Sequence, residues 1–417
     1  MKFSVIFFLS LCFSPMLIGQ FVQAELGADY VNQHFYNLES QENTVVNSES
    51  WDLAFTAYGF QDAGVSINEA AGLQGSALEV YVAESSDFSS DIVIANLEEV
   101  LFNSDQSWDA GAFNNMADPM NPFDYGWGVY DPQSMSVIGN KVFIIKLRDG
   151  NYKKFMIESL VVSTYNLRYA DLDGSNEQTA SFDKMMFPTE DLVFFSFESD
   201  GIVSLVDHSW DLLFTRYSSP VPDVDGTLVD YIISGVLLAP GIEAAELRDI
   251  DPSTAEASDY ESDFTSQSDV IGYDWKEFDL TEFVWKVFED LSYYVKTEDG
   301  DVYQLVFIDF EGSSTGIITF MQTAVGSTSS IDLSSSFQLS LFPNPNNGNF
   351  QLDLEDIEDG IFSSLEIFNS MGQRLFISDY SNVVANNFRI SSSLEAGNYL
   401  LVLSGETGNM TQRFIVK

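Results

Sequence analysis

Cysteine is almost absent from the 417-residue sequence. Its single cysteine, Cys12, lies in an N-terminal segment that we expect to be removed. The mature chain would then form no disulfide bond and would offer no thiolate nucleophile or cysteine metal ligand. Histidine is nearly as scarce, because His34 and His208 are the two in the chain. Few thiol or imidazole side chains are therefore available for catalysis or for metal binding.

Positive charge is also scarce. The chain has 17 Lys and Arg against 64 Asp and Glu, which gives a formal net charge of −47 at pH 7. Nucleic acids and anionic membranes attract clustered basic residues, so the composition argues against both as partners. One interpretation of the acidity is solubility in a salty medium that screens self-repulsion. The other is capture of cations. Acidic composition alone does not distinguish the two, and we favour the first because charge runs are commonly just solvated.

The N-terminus has the pattern of a secretory signal peptide. Lys2 precedes an apolar run that ends near Ile18, and Ala24 closes a short segment with small residues at the usual cleavage positions. We expect cleavage after Ala24, which assigns residues 1–24 to the signal peptide. The run is too short, and its flanks too poor, for a membrane anchor. After its removal we expect no membrane span.

Long helical periodicity is lacking, whereas aromatic and β-branched residues are abundant and turn residues recur at short intervals. This pattern predicts β structure throughout. In residues 51–55 (WDLAF), large apolar side chains occupy every second position and Asp52 lies between two of them. Such alternation is typical of a strand with one buried face.

One segment occurs twice. Residues 51–58 read WDLAFTAY, and residues 210–217 read WDLLFTRY. A self-match at this long period indicates a duplicated domain rather than a solenoid of short repeats. At the same offset, four upstream residues also align without a gap: Tyr36, Leu38, Glu39 and Ser40 with Phe195, Phe197, Glu198 and Ser199.

Each copy is predicted to end in a β-hairpin. Asp149-Gly150 and Asp299-Gly300 lie between strand-like runs, and an Asp-Gly pair favours the tight primed turn that needs positive φ. The flanking runs are Lys141–Leu147 and Tyr152–Leu160 in the first copy, and Leu291–Lys296 and Val302–Phe310 in the second.

These features predict an all-β protein with two tandem antiparallel β domains and a small C-terminal β-sandwich. The two copies are assigned to residues 25–187 and 188–325. A Ser- and Thr-rich stretch over residues 326–337 reads as a linker. Residues 338–417 form the last module, which is predicted to be a sandwich of about seven short strands.

The last module resembles the type A C-terminal sorting domain of the Bacteroidetes type IX secretion system. The resemblance rests on LFPNPNNG at residues 341–348, GNYLLVL at 397–403 and the basic end RFIVK at 413–417. It implies that the type IX machinery is a partner. It also implies export across both membranes, removal of the tail, and a location that is secreted or at the outer-membrane surface.

The duplicated region resembles the HmuY-like family of secreted, haem-capturing β proteins. The resemblance rests on the WDLAF strand at residues 51–55 and on the hairpin VFIIKLRDGNYKKF at residues 142–155. Members of that family that bind haem supply two axial ligands, His in some and Met in others, from loops between this strand and this hairpin. The resemblance therefore implies haem or another porphyrin as a ligand for the first copy.

The two histidines do not fit that expectation. The repeat places His34 opposite Val193 and His208 opposite Glu49, so they are not two versions of one site. Neither lies in the loops that the resemblance points to. For His208, close to a strand start, we expect a packing or surface role.

Methionine is the remaining candidate. Met116, Met120 and Met135 lie in the middle of the first copy. Thioethers among aromatic residues are able to cradle a porphyrin, and they are also able to fill a core, which is what Met usually does. The second copy has neither His nor Met between Trp210 and its hairpin. We do not expect it to bind haem in the family's manner. The aromatic neighbours of these methionines in the sequence are Tyr125, Trp127 and Tyr130.

Two Asp-x-Asp-Gly segments are candidate calcium loops. They contain Asp171 with Asp173 and Asp223 with Asp225. Calcium takes six or more oxygen ligands at ordered spacing, and these segments supply fewer. Asp-Gly is also ordinary turn chemistry. For both segments the sequence leaves two alternatives, a calcium site and a plain turn.

No catalytic constellation is recognisable, so we predict that the protein is not an enzyme. Asp52 and Asp211 follow a Trp in both copies, and we expect them to accept backbone N–H groups at a strand edge. The functional hypothesis is a secreted or cell-surface ligand-binding protein, with haem capture by the first copy. The alternative is a non-catalytic structural or adhesive surface protein that kept the fold without a haem site.

Overall fold

The computed structural model describes residues 19–59, 62–187, 190–325, 338–355, 362–369, 374–379, 387–391, 394–405 and 408–417. The predicted linker, residues 326–337, lies outside these ranges. Most of the predicted signal peptide does too, although Gln20–Ala24 belongs to the first strand. A mature chain that begins at Glu25 would keep a single residue of that strand, and the cleavage position stays a prediction. No helix in the described ranges is long and apolar enough to cross a membrane.

The protein is all-β, as predicted. The helices in the described residues are six short 3-10 turns, at Ala28–Tyr30, Ile94–Asn96, Trp108–Ala110, Lys184–Met186, Ala257–Asp259 and Gly312–Ser314. The strands are β1 (Gln20–Glu25), β2 (Asn32–Tyr36), β3 (Asn43–Asn47), β4 (Leu53–Thr56), β5 (Val65–Ile67), β6 (Glu79–Val82), β7 (Gly128–Asp131), β8 (Ser136–Gly139), β9 (Phe143–Lys146), β10 (Tyr152–Val161), β11 (Thr164–Asp171), β12 (Gln178–Asp183), β13 (Leu192–Ser196), β14 (Gly201–Val203), β15 (Leu212–Pro222), β16 (Leu228–Leu238), β17 (Glu243–Arg248), β18 (Lys276–Asp279), β19 (Val284–Val287), β20 (Leu291–Lys296), β21 (Val302–Phe310), β22 (Ile317–Val325), β23 (Gln338–Phe342), β24 (Asn349–Glu355), β25 (Phe362–Asn369), β26 (Arg374–Asp379), β27 (Asn387–Ser391), β28 (Gly397–Gly405) and β29 (Gly408–Val416).

The strand orders of two groups of sheets correspond to each other. Residues 23–320 form one compact unit. One long sheet of this unit has the order β17-β20-β21-β22-β1, and its counterpart runs β6-β9-β10-β11-β12. Two four-stranded sheets also correspond, with the orders β16-β15-β2-β3 and β5-β4-β13-β14. Strands β1 to β11 of the first copy therefore match β12 to β22 of the second.

The two copies exchange their opening strands. Strand β2 of the first copy pairs with β15 of the second, and β13 of the second pairs with β4 of the first. The registers agree, since Tyr36 lies opposite Leu212 and the equivalent Phe195 lies opposite Leu53. We call β4 to β14 the first lobe, and β1 to β3 with β15 to β22 the second lobe. The first lobe is continuous in sequence, whereas the second is built from both sides of it.

This exchange bears on the predicted division at residues 187 and 188. That division stays a prediction for the sequence copies, although β12, the strand that matches β1, lies on the first-copy side of it. In the structure it falls between β12 and β13, which both lie in the first lobe and pair with β11 and β4. The physical reason is that the two opening strands take the same register, with the aromatic residues Tyr36 and Phe195 at matching positions, so each fits the partner strand of the other copy.

The interior of the first lobe is a single apolar core from both copies. Phe55 of β4 packs on Tyr165 of β11, with ring centroids 4.9 Å apart, and Phe195 of β13 packs on Tyr169 at 5.8 Å. All four rings are buried. Because aromatic side chains bury large areas and prefer tilted contacts, this core holds the exchanged strand in place.

The predicted hairpins form with nearly the predicted strands. In the second copy the bounds of β20 and β21 are those predicted from the sequence. Gly150 and Gly300 have φ of 84° and 87°. Asp149 and Asp299 are not among the residues with positive φ, so the turn is not the primed form that we expected. Gly150 N donates to Leu147 O at 2.9 Å, as in a wider turn that closes on a left-handed glycine.

The C-terminal module is a seven-stranded sandwich, as predicted. One sheet has the order β23-β24-β27 and the other β26-β25-β28-β29. Its core draws on both sheets and contains Leu341, Phe350, Leu352, Leu365, Ile367, Ile390, Tyr399, Leu401, Phe414 and Val416. The alternating pattern of these residues along the strands buries one face of each sheet.

Candidate functional site

The three candidate methionines lie on exposed loops of the first lobe. Met116 and Met120 lie in the turns that precede β7, and Met135 lies in the turn between β7 and β8. Their exposed fractions are 48%, 87% and 66%, so core packing is not their role. Between them along the chain, Phe123 and Tyr130 stack with centroids 6.0 Å apart. We use the name methionine face for these exposed loops, with Met116, Met120 and Met135, and for the Phe123–Tyr130 pair that lies between them in sequence.

The neighbouring Trp127 belongs to the core instead. It is fully buried, and its indole N–H donates to the carbonyl of Ala63 at 3.0 Å. Phe113, Phe143 and Phe155 pack beside it in the same cluster. The interior of the first lobe beside Trp127 is therefore filled by side chains.

The equivalent position in the second lobe is closed in a different way. Trp275, the counterpart of Trp127, stacks on Phe307 with centroids 4.2 Å apart. The ammonium of buried Lys276 lies 4.1 Å from the Trp275 ring and 4.8 Å from the Phe310 ring. It donates to the carbonyl of Ser234 at 2.8 Å. Burial lowers the pKa of Lys276 to about 7. The aromatic residues here pack around the chain's own cation.

The Asp-x-Asp-Gly segments form turns. Asp171 Oδ1 meets Lys153 Nζ at 3.2 Å, and its Oδ2 accepts from Asn176 Nδ2 at 2.7 Å. Asp223 Oδ1 accepts from the backbone N–H groups of Asp225 and Thr227 at 2.9 and 3.2 Å. Among the described residues, no group of three or more His, Cys, Asp or Glu is arranged to hold a metal ion. Calcium binding by Asp171, Asp173, Asp223 and Asp225 stays a prediction.

Both histidines lie at the exchanged strands rather than at the methionine face. His34 of β2 is buried, and its Nδ1 accepts from the backbone N–H of Glu25 at 2.9 Å. Burial lowers the pKa of His34 to about 4, so its ring is neutral at neutral pH. His208 Nε2 lies 2.9 Å from the hydroxyl of Thr44 on β3.

Asp52 and Asp211 have the structural role that we predicted. Asp52 Oδ2 accepts from the backbone N–H of Phe197 at 2.7 Å, and Asp211 Oδ2 accepts from that of Leu38 at 2.6 Å. Each aspartate belongs to one copy and each donor to the other. The motif that repeats in the sequence is therefore a reciprocal aspartate clasp between the two copies.

The two clasps differ in charge. In the first lobe Arg148 Nη1 lies 2.6 Å from Asp52 Oδ1, and both side chains are mostly buried. In the second lobe Glu298 occupies the position of Arg148. The pKa of Asp211 is raised to about 6, mainly by burial and also by the charge of Glu298, while the hydrogen bond from Leu38 acts to lower it. Burial also raises the pKa of Asp191 to about 7, with Glu298 and Asp211 adding to it.

A cavity of about 40 Å³ lies where the two lobes meet, and we call it the inter-repeat cavity. It has room for a few atoms, which excludes a porphyrin. Its lining includes Trp51, Glu69, Asn103, Asp105 and Trp108 of the first lobe, together with Gln33, Thr215, Arg216, Tyr217 and Ser218 of the second.

Glu69 links the two lobes across this cavity. Its Oε1 accepts from the backbone N–H of Asn103 at 2.8 Å, and its Oε2 accepts from that of Ser218 at 3.0 Å. Burial raises the pKa of Glu69 to about 7 against these two hydrogen bonds, and the charge of Asp230 on β16 adds to the rise. No sequence pattern marks these residues, because the cavity is assembled from segments that are far apart in the chain.

Comparisons with known proteins agree with the two resemblances. Residues 29–169 match the family model described as HmuY protein, and residues 340–417 match the one described as secretion system C-terminal sorting domain. The chain thus joins an HmuY-family β region to a sorting domain of the type IX secretion system. Such a tail places the protein outside the cell or on the outer-membrane surface. The HmuY match covers the first sequence copy alone.

The other comparisons add little. No curated protein matches the chain. Among solved structures, dimeric latent PorU from Porphyromonas gingivalis is 9% identical over 93% of this chain, with a TM-score of 0.16. The chain spans 34% of the length of that structure. A likeness this weak carries no argument about fold or function.

Proposed function

We propose that this exported protein is a non-catalytic ligand-binding protein that captures haem, or a similar porphyrin, on the methionine face. The observation that carries the proposal is the position of Met116, Met120 and Met135. They are exposed on loops that precede and follow a stacked Phe–Tyr pair, inside the region that matches the HmuY family. Thioether sulfur is an established axial ligand of haem iron, and aromatic rings offer flat apolar contact.

The remaining side chains support surface capture. The filled core beside Trp127 leaves the loops as the place for a flat ligand. An exposed apolar group of this kind in a very acidic protein marks an interaction site. The second lobe carries no Met or His between Trp210 and its hairpin, so one porphyrin per chain is expected.

Haemin titration of the full chain tests this function. We expect a saturable shift of the Soret band that is stronger after reduction, because thioether ligation raises the potential of haem iron and so favours the ferrous form. Replacing Met116, Met120 and Met135 by Ala together should weaken binding about tenfold or more, the loss that about 1.4 kcal/mol of ligand contact represents.

Met185 and Met186 provide the matched control. They are 51% and 74% exposed and lie in a 3-10 turn of the first lobe. Replacing both by Ala should leave haemin affinity unchanged. Absence of a saturable shift in both redox states, or an unchanged affinity in the triple variant, would contradict the proposal.

A structural or adhesive surface role is the second candidate. It is favoured by the filled first lobe and by the interlocked copies, which together resemble a stable spacer more than an open receptor. A chain that shows no haemin binding while keeping a cooperative unfolding transition would support this candidate instead.

A further inference from the structure

Strand β1 belongs to the repeated unit of the fold. In the second lobe β1 is the edge strand beside β22, and in the first lobe β12 takes the same place beside β11. The sequence repeat gives the same match. At the offset that aligns the two Trp-Asp-Leu segments, Gln20 aligns with Thr179 and Ala24 with Asp183, both in β12. The second copy therefore starts with a complete edge strand, and the first copy does so only if Gln20–Glu25 is retained.

Strand β1 is packed into the second lobe. Ala24 and, just after the strand, Leu26 are fully buried. The side-chain amide of Gln23 donates to the hydroxyl of Thr319 on β22 at 3.4 Å. In the sheet, β1 pairs with the edge of β22 that faces away from β21. Without β1, the backbone N–H and C=O groups along that edge would lose their partners and would be open to pairing with other chains.

Cleavage after Ala24 would also place a charge beside a buried ring. The backbone N–H of Glu25 donates to Nδ1 of His34 at 2.9 Å, and His34 is 2% exposed. If Glu25 were the first residue, this neutral amide would become an α-ammonium group. A charged group is more costly to desolvate than an amide. The contacts of β1 and of Glu25 therefore both require a mature chain that begins upstream of the strand.

The sequence offers a cleavage position directly before the strand. Gly19 is a small residue between the apolar run and Gln20. A signal peptide needs a small residue immediately before the cut bond, and Ala24 satisfies the same need, which is why the sequence pattern alone predicts it. The third residue before each bond is apolar, Leu17 in one case and Val22 in the other. The structure separates the two positions, because Gly19 precedes β1 whereas Ala24 lies inside it.

We propose that the signal peptide is removed by cleavage of the peptide bond between Gly19 and Gln20, so that the mature chain begins with the complete strand β1. Hydrolysis of this bond consumes one water, leaves a carboxylate on Gly19 and gives Gln20 an α-amino group. Gln20 is exposed at the end of β1, so a charge there stays hydrated. The proposal rests on the predicted signal peptide and depends neither on the methionine face nor on haem.

Mass spectrometry of the N-terminal peptide of the exported protein tests the proposal. The full precursor, with its own signal peptide, is produced in a bacterium that has the type IX secretion system. We expect the mature chain to begin at Gln20. A mature chain that begins at Glu25, or at any residue other than Gln20, would overturn the proposal.

Two matched substitutions distinguish the two cleavage positions. Gly19→Leu places a large residue immediately before the proposed bond and should block processing, whereas Ala24→Leu should leave cleavage before Gln20 unchanged. Signal peptides are removed from the translocating chain before it folds, so neither result depends on whether the variant folds. Normal processing in Gly19→Leu, or loss of processing in Ala24→Leu, would overturn the proposal.

Thermal unfolding of two purified chains measures what β1 contributes. One chain starts at Gln20 and the other at Glu25, and both end at Lys417. We expect the shorter chain to have a Tm lower by about 5 °C or more, because it lacks buried Ala24 and the partner of β22. Exposed Gln20→Ala in the longer chain is the control and should leave Tm unchanged. Equal Tm values for the two chains would contradict the proposal.

Discussion

In the first lobe the clasp aspartate, Asp52, forms an ion pair with the guanidinium of Arg148. In the second lobe the clasp aspartate, Asp211, has the like charge of Glu298 nearby instead. Both aspartates accept a backbone N–H from the other copy at nearly the same distance. The hydrogen bond is thus the shared requirement of the fold. The fold does not require a neutralising cation at the clasp. Without one, the carboxyl group of Asp211 in the second clasp is harder to ionise.

Removing each clasp aspartate should distinguish the two lobes by the size of the loss in the free energy of unfolding. Asp52→Ala deletes an N–H acceptor and leaves Arg148 buried without its partner, so we expect a loss of about 3 kcal/mol in the free energy of unfolding. Asp211→Ala deletes the acceptor alone and should cost about 1–2 kcal/mol. Urea denaturation measures both, with exposed Glu49→Ala as the control. Equal losses would mean that Arg148 adds nothing to the first clasp.

Installing the missing cation should make the second clasp resemble the first. In Glu298→Arg the new guanidinium faces Asp211 as Arg148 faces Asp52. We expect the pKa of Asp211 to fall below about 6 and the free energy of unfolding to rise by about 1 kcal/mol at neutral pH. Carboxyl chemical shifts across a pH titration measure the first, and urea denaturation the second. An unchanged pKa would show that the two hairpin ends are not equivalent.

The second clasp should also make stability depend on pH. The folded-state pKa values of Asp191 and Asp211 are raised to about 7 and about 6, so the folded chain holds protons that the unfolded chain has released. Their stabilising contribution is full below the unfolded pKa and is lost as pH rises through about 6 to 7. We expect Tm to fall between about pH 5 and about pH 8. The fall should be shallower in Asp191→Asn, and an identical slope in this variant would contradict the assignment.

The smallest expected effect concerns calcium at the two Asp-x-Asp-Gly turns, of which one lies in each lobe. Their carboxylates already accept the hydrogen bonds of their own turns, so added calcium should shift the free energy of unfolding by less than about 0.5 kcal/mol. Thermal unfolding with calcium and with a chelator measures this. A larger shift that disappears in Asp173→Asn or Asp225→Asn would locate a calcium site in the corresponding lobe.

Local features of the fold were predictable because they depend on local chemistry. The bounds of β20 and β21 follow from β-branched and aromatic runs interrupted by Asp-Gly, and the sandwich at residues 338–417 follows from spaced turn motifs. The structural role of Asp52 was also foreseen, since a strand-edge carboxylate accepts backbone N–H groups. The form of the hairpin turn was not, because Asp-Gly permits more than one turn type.

The candidate sites were predictable to different degrees. Met116, Met120 and Met135 could be selected by residue type, but their exposure, and the burial of Trp127 next to them, depend on which strand covers which face. Glu69 and Ser218 gave no signal in sequence. They are separated by 149 positions and meet through a hydrogen bond that exists only because β15 lies beside the first lobe.

An all-β chain, a segment that occurs twice and a small C-terminal sandwich could be predicted from the sequence, because alternation, self-similarity and turn chemistry are properties of neighbouring residues; the sorting role of that sandwich came from its resemblance to a known family. The tertiary structure decided which copy of an opening strand pairs with which partner. The two opening strands carry aromatic side chains at matching positions, Phe35 and Tyr36 against Phe194 and Phe195, so the local pattern does not say which partner each strand takes. The choice is made by chain connectivity and by the shared core, and it creates both the reciprocal clasp and the cavity between the lobes.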